Sequence, residues 1–449
     1  MTGNMSNVLA TRPPASGVFH RVRRRERLRS TFWFIPAIFV PISGVLAVVM
    51  HQVDQAIDTV PSRAPWWVAS SAAATTVLST IAAAMLTFVG VVFSVTLVAL
   101  QLASSQVSPR VLRSFVRSPV PKLAFGTFIS TFFYSLLLLS QISGSADQVP
   151  VAGTAVALLL VAACIAIFIV YVDMTVRQMQ VSHVIATVAA ETREAILQTH
   201  RGPNGYVQAQ LRDITGKRTR VVLDDSVIAG NKPSRGVLQG VDVAKIVELA
   251  RAHDLVVVQV PRVGEYVSEG TTIFEIVGGA APSAPDVHEV FTELVDLGRE
   301  RTLYQDPLYG IRQLVDTATQ ALSPAINATT TAVQALDRLV DLVGRIGRSS
   351  LPTGFVCDAE GTVRFVYPVL TWTGVVELAF VEIRQFGSGA TQVTRRLLAG
   401  FDELLRELPA DRHGAILAQR DAVIHRVERT TTNPGDMVTA LQPDSMGLG

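Results

Sequence analysis

Thr80, Thr87, Ser94 and Gln101 recur every seven residues along a stretch, Ala64 to Pro109, that contains no Asp, Glu, Lys, Arg or His, and Ser108 continues the series. Seven residues is nearly two turns of a helix, so the set drifts by only about 20° per repeat and makes one slowly winding polar stripe. Side chains so arranged have two uses. They hydrogen-bond to a neighbouring helix, helped by Gly90 and Ser94 as a pair of small residues four apart that lets backbones approach. Alternatively, they hydrate a path for small ions or solutes when several copies of the helix surround an axis. Arg110, Arg113 and Arg117 follow at one end of the stripe. They set orientation and attract anionic lipid, and at the mouth of a path they would also concentrate anions.

Other chemistry finds little footing. There is no GxxxxGK[ST], no GxGxxG after a strand, no HExxH and no GxSxG. The histidines, among them His183, His253, His288 and His425, lack partners at metal-ligand spacing. Asp224 and Asp225 are adjacent, would point to opposite faces of a strand, and are read as a solvated turn. Cys164 and Cys357 make neither a zinc site nor a disulfide framework and are read as ordinary thiols. The run RVGEYVSEGTTIFEI sets Gly264, Val267, Gly270, Ile273 and Ile276 three apart. Its glycine-paced turns are similar to those of biotin or lipoyl carriers, but it lacks the lysine such carriers modify, so it is read as a β-roll with glycines in its tight turns. No catalytic residue, metal or cofactor is assigned, and the chain is read as something other than an enzyme.

The elements that position the stripe are membrane helices. An apolar run far beyond about 18 residues is a span, because in lipid a helix satisfies its own backbone amides. From Ala72 to Ala103 that helix would measure about 48 Å, against about 30 Å of hydrocarbon, so it tilts or projects. Hydrophobic residues make up 49% and charged residues 17% of the 449, a balance that fits a membrane protein with a substantial soluble part. Further spans are expected at Thr31–Met50, Leu123–Ser143 and Val149–Val172. The first follows the basic block Arg21–Arg29 and is too long for a secretory signal peptide, so it is read as retained. Basic residues flank one side, including Lys122. Asp54, Asp58, Trp66 and Trp67 mark the other. The positive-inside rule then puts both termini in the cytoplasm of a bacterial inner membrane.

The expected fold class is an α-helical membrane domain of four transmembrane helices plus a mixed α+β cytoplasmic region. Its segments are a basic N-terminal stretch (1–30), the four-helix domain (31–175), an amphipathic connecting helix (176–202), a small β-rich domain (203–282), a mainly helical domain (283–432) and a disordered tail (433–449). In the β-rich part the runs RTRVVLD, RGVLQGVD, LVVVQV and TTIFEIVG read as strands, with a helix at Val243–Ala252. Helices are expected at Asp286–Thr302, Ile311–Leu322, Thr331–Arg345, Gly374–Phe386, Thr391–Glu407 and Arg412–Thr430, and a strand near Thr362. Ser323, Pro324 and Asn327 form a turn motif, in which Pro324 ends one helix and Asn327 or a following Thr caps the next.

Two motifs carry a family resemblance. VVFSVTLVALQLASSQVSPRVLRSFVRSP with LAFGTFISTFFYSLL, and QDPLYGIRQLVDTATQALSPAIN further on, resemble the bacterial predicted-membrane-protein family named domain of unknown function 2254. Such proteins tend to read Asn-Asp-Pro where this chain has Asn327, Ala328 and Thr329, so no acidic role falls to that turn. The resemblance implies a membrane location and supplies no activity. Two functions therefore stand: a homo-oligomeric passive channel or transport protein lined by the second helix, and a non-conducting sensor or scaffold whose cytoplasmic part binds a ligand or protein. The expected partners are the lipid bilayer, further copies of the chain, and small ions or solutes. The basic block beside the first span is assigned to lipid, and no nucleic-acid partner is expected.

Overall fold

The computed structural model describes residues 34–57, 70–106, 119–142, 150–200, 218–222, 235–278 and 290–446. The chain divides into two compact units, with the break between Val184 and Ile185.

Among the described residues, the first unit has four helices long and apolar enough to cross a membrane: α1 (Phe34–Ile57), α2 (Ser71–Gln106), α3 (Pro119–Ile142) and α4 (Val151–Met179). The 36 residues of α2 give a length of about 54 Å. α3 packs against each of the other three and so forms the centre of the bundle. Its buried Phe128, Tyr134 and Leu138 share a core with Ala47 of α1, Leu78, Met85 and Val92 of α2, and Cys164 and Tyr171 of α4. Phe88, Phe128 and Phe168 meet edge to face and stacked, with ring centroids 5.2 to 6.5 Å apart. The buried interior combines these aromatic and branched side chains with hydroxyls, among them Thr127, Ser130, Thr131, Ser135 and Thr154.

Three boundaries differ from the expected ones. α1 continues past Met50 through His51 and Asp54, because helix geometry brings Asp54 to the start of α4 where its carboxylate finds donors. α3 begins at Pro119, since proline is tolerated in a first helical turn, and Lys122 lies within the helix at 2% exposure instead of in a basic link. α4 runs past the expected Val172 to Met179, and the connecting helix starts after residue 176. Gln180 takes an extended backbone, φ −78° and ψ 117°, and α5 restarts at Val181 and ends at His200.

The second unit begins within α5 and combines two sheets with a layer of helices. Its strands are β1 (Arg218–Val222), β2 (Gly236–Val241), β3 (Val256–Gln259), β4 (Tyr266–Val267), β5 (Thr272–Val277), β6 (Val295–Gly298), β7 (Phe355–Cys357) and β8 (Val363–Val366). One sheet has the order β1-β5-β3-β8-β7, antiparallel except for the parallel β3–β8 pair; the other is antiparallel with the order β4-β2-β6. Helix α6 (Val243–Ala252) follows β2, capped by Asp242, whose side chain accepts from Lys245 N. Leu238, Ile246, Val257, Val267, Phe274 and Phe365 bring both sheets and α6 into one core.

Two expectations fail here. Asp286–Thr302 is not one helix, because Val295–Gly298 alternates buried and half-buried residues and pairs with β2. Moreover, β6 and β8 both lie beyond residue 283 yet pair with β2 and β3, so the strands cross the expected boundary between a β-rich and a helical domain.

The helices are α7 (Leu308–Ala321), α8 (Thr329–Arg348), α9 (Trp372–Phe386), α10 (Thr391–Glu407), α11 (His413–Thr430) and α12 (Pro434–Leu441). α8 buries Ala332, Leu336, Leu339, Val343 and Ile346, one continuous face at helical spacing. Arginines tie the layer together: Arg312 to Glu382 across α7 and α9, Arg396 to Asp337 at 2.6 Å across α10 and α8, and Arg193 of α5 to Asp341 of α8 at 2.6 Å. The tail, for which the sequence predicts disorder, contains a helix over Pro434–Leu441. Asn433 caps α12 by accepting from Gly435 N, Pro434 suits the first turn, and Arg395 Nε donates to Gln442 O at 3.0 Å.

Candidate functional site

α2 has two faces, each built on a seven-residue repeat. Leu78, Met85, Val92 and Ala99 form the inner row and are buried in the bundle. Thr80, Thr87, Ser94 and Gln101 form the outer row, and all are exposed, as is Gly90. The rows are offset by two residues, which at about 100° per residue places them on opposite sides of the helix. Among the described residues the stripe therefore takes no part in packing. Thr80 and Thr87 donate back to Thr76 O at 2.7 Å and Ala83 O at 3.2 Å, and a Cβ on Gly90 would have nothing within 4 Å. Ser108, Arg110, Arg113 and Arg117 lie outside the described residues.

The inner face carries polar contacts that spacing alone does not reveal. Tyr171 of α4 donates to Val92 O at 3.0 Å, and its hydroxyl lies 2.7 Å from Thr96 Oγ1, which itself bonds to Val92 O at 2.7 Å. Thr96 sits between the two rows, off the seven-residue series. On α3, Thr131 Oγ1 meets Cys164 Sγ at 3.3 Å. Hydrogen bonds of this sort between membrane helices contribute about 0.6 kcal/mol on average.

At the far end of α1, Asp54 Oδ1 accepts from Ala152 N at 2.7 Å and Oδ2 from Gly153 N at 2.9 Å. A carboxylate there meets the free amides and positive dipole end of α4. Tyr134 OH donates to Gly153 O at 2.9 Å, so α1, α3 and α4 are tied at one residue. An Asp within reach of a helix start is a readable signal, but only if α1 is taken to be longer than its apolar run.

In the second unit, the turn motif is a connection between α7 and α8. Ser323 O accepts from Ile326 N and Asn327 N, and Ala328 N bonds back to Ala321 O. Pro324 is exposed two residues past the helix cap Leu322. Asn327 does not cap α8. The cap position is Ala328, with no side-chain bond, and Asn327 adopts φ +48°, a left-handed turn that Asn tolerates better than most residues.

The RVGEY and QDPLYG motifs, thirty-odd residues apart, converge. Arg301 reaches Asp306 Oδ2 through Nε at 3.0 Å and Nη2 at 2.8 Å, while its guanidinium lies over the Tyr309 ring. Gly264, at φ +95°, passes so close that a Cβ would fall 2.5 Å from Asp306 Oδ2. Gln305 clasps Val241, donating to its O at 3.0 Å and accepting from its N at 3.1 Å. Burial pushes the Asp306 carboxyl above its ordinary value although Arg301 pulls it down. All these bonds are internal, so the cluster reads as a joint between the β layers and α7. Among the described residues no group of three or more His, Cys, Asp or Glu could hold a metal ion.

Comparison with known proteins agrees with a membrane protein and adds no activity. The chain is similar to an uncharacterized protein of Mycobacterium bovis, with 28% identity over 431 residues, covering 93% of this chain and 80% of that one. An uncharacterized protein of Mycobacterium tuberculosis (strain H37Rv) is similar to the same extent, again 28% over 431 residues. No solved structure matches the chain. Residues 29–403 match the family described as predicted membrane protein, DUF2254. With most of its length matched, from the basic block before α1 into α10, the chain belongs to the DUF2254 family of predicted membrane proteins.

Proposed function

We propose that the protein is a homo-oligomeric passive channel or transport protein of the bacterial inner membrane, with α2 lining a path between copies and both termini in the cytoplasm. The observation that carries this reading is the outward polar row of α2. Four polar side chains face away from their own bundle; Thr80 and Thr87 bond back to their own helix, but the Gln101 amide faces outward where lipid tails offer it no hydrogen bond, which supports a hydrated path between copies. The inner and outer rows wind at the same rate, so a helix from a second copy can follow the outer row as α3 follows the inner one. α2 has no charged residue, which fits a passive path better than an ion-coupled pump.

Purified protein in planar bilayers should conduct, and Thr87→Leu with Ser94→Leu should lower conductance while leaving the oligomer intact. Silence from a folded wild-type oligomer across voltage, membrane tension and ion type would refute conduction. A second reading, a scaffold whose second unit binds a protein, draws on Ile326 and Phe386, which are 41% and 61% exposed. The segments that carry them approach each other at Leu322, whose Cδ1 comes within 3.4 Å of a Cβ position on Gly387.

A further inference from the structure

We infer that Tyr171 and Thr96 form a rotational lock that fixes which face α2 presents to the outside of the bundle. The inference rests on the channel reading only for its consequence: a lock on α2 sets whether the polar row faces a path.

Helix α2 is held by contacts of two kinds. Its buried inner face is Ala74, Leu78, Ile81, Ala82, Met85, Val92 and Ala99, apolar side chains whose packing carries no directional bond. The Tyr171 contact differs because it has direction. Its hydroxyl reaches both a backbone carbonyl, Val92 O, and a side chain one turn on, Thr96 Oγ1, so both bonds exist only at one rotation and one height of α2 against α4. Tyr171 is itself unable to move far. Its side chain is 1% exposed and its ring lies beside Phe168, which meets Phe88 of α2 at 5.2 Å. Turning α2 by a few tens of degrees breaks both bonds and leaves a buried hydroxyl unsatisfied, and water is not there to replace them. The outer row turns with the inner row, since both belong to one rigid helix.

The test is a nitroxide scan along positions 93 to 101, leaving out Thr96, of the full-length protein in lipid vesicles, in a background lacking Cys164 and Cys357. Collision with oxygen and with a water-soluble nickel chelate gives an accessibility pattern whose phase reports the rotation of α2. With Tyr171 and Thr96 present, the minimum should fall at Ala99. Tyr171→Phe and Thr96→Val, both close in shape to the originals, should each shift that phase toward a neighbouring position, and Thr96→Ser should restore it. An unchanged phase in folded Tyr171→Phe and Thr96→Val overturns the lock, whether or not the protein conducts. A shifted phase in a protein that is silent in bilayers supports the lock and removes only the channel reading.

Discussion

Asp54 and Gly153 are 99 positions apart in sequence, yet the carboxylate of one accepts the backbone N–H of the other at 2.9 Å. The same glycine gives its carbonyl to Tyr134. One residue at the start of α4 is thereby shared by α1 and α3.

Replacing Asp54 with Ala should lower stability by about 0.5–2 kcal/mol, the usual cost of losing a helix cap. Asp54→Asn retains an acceptor and should lose less. Gly153→Ala should also destabilise, by about 1–3 kcal/mol, because its Cβ would lie 2.6 Å from Leu138 Cδ2 and 3.0 Å from Asp54 Oδ2. Thermal unfolding in detergent, read by circular dichroism, checks all three. Equal melting temperatures for wild type and Asp54→Ala would show that the cap is dispensable.

Arg301→Ala should be among the most damaging single changes in the second unit. It leaves Asp306 buried without its guanidinium, at a cost of about 3–5 kcal/mol. Arg301→Met combined with Asp306→Leu should recover much of that loss, because no charge is then stranded. Gly264→Ala meets both a left-handed backbone and the same ion pair, and should resemble the single arginine variant more than the double. Urea unfolding of the full chain ranks the three.

Gly310→Ala tests how closely α5 and α7 approach. A Cβ at that position would overlap the Thr192 hydroxyl, which is buried and donates to Val188 O. The substitution should therefore cost about 1–3 kcal/mol by overpacking. Thr192→Ala should relieve part of it, and strict additivity of the two changes in a double-mutant cycle would argue against the contact.

Acid stability should depend on Asp358. Burial alone would raise its carboxyl, but the bond from Arg364 and the N–H groups of Thr362 and Glu360 outweigh burial and hold it below the ordinary value of 3.8. A folded value below the unfolded one contributes stability above that ordinary value, and the contribution is lost as pH falls through the folded value. Asp358→Asn should lower stability at neutral pH and flatten the fall below about pH 4. Asp306 has the opposite sign, since its raised value favours the folded state as pH falls, so the Asp358 variant isolates one limb of the profile. Melting temperature against pH for both proteins makes the comparison.

Legibility in the sequence extends to whatever depends on local pattern. The period-seven row on α2, the four apolar runs and the bounds of α6 and α10 follow from spacing alone, and they recur in the structure. Contacts between distant segments stay hidden. The inner row of α2 reads as generic apolar sequence until Tyr171 is brought beside Val92, and the meeting of Gly264 with Asp306 depends on the chain path between two sheets. Val295–Gly298 reads as helix because four residues cannot reveal a strand whose partner, β2, lies more than fifty residues earlier. Asn327 reads as a cap for a different reason: Asn serves both helix caps and left-handed turns, and only the backbone angle separates them.

The paired rows of α2 also constrain how its length can vary among relatives. Adding one residue between Thr80 and Thr87 would rotate everything beyond it by about 100°, taking Val92 and Ala99 out of the core and turning Ser94 and Gln101 away from their side. No compensating substitution at a single site repairs that, because both rows move together. A seven-residue insertion leaves each row nearly in phase, with only about 20° of drift. Insertions and deletions in this helix should therefore be rare, and those that survive should come in sevens.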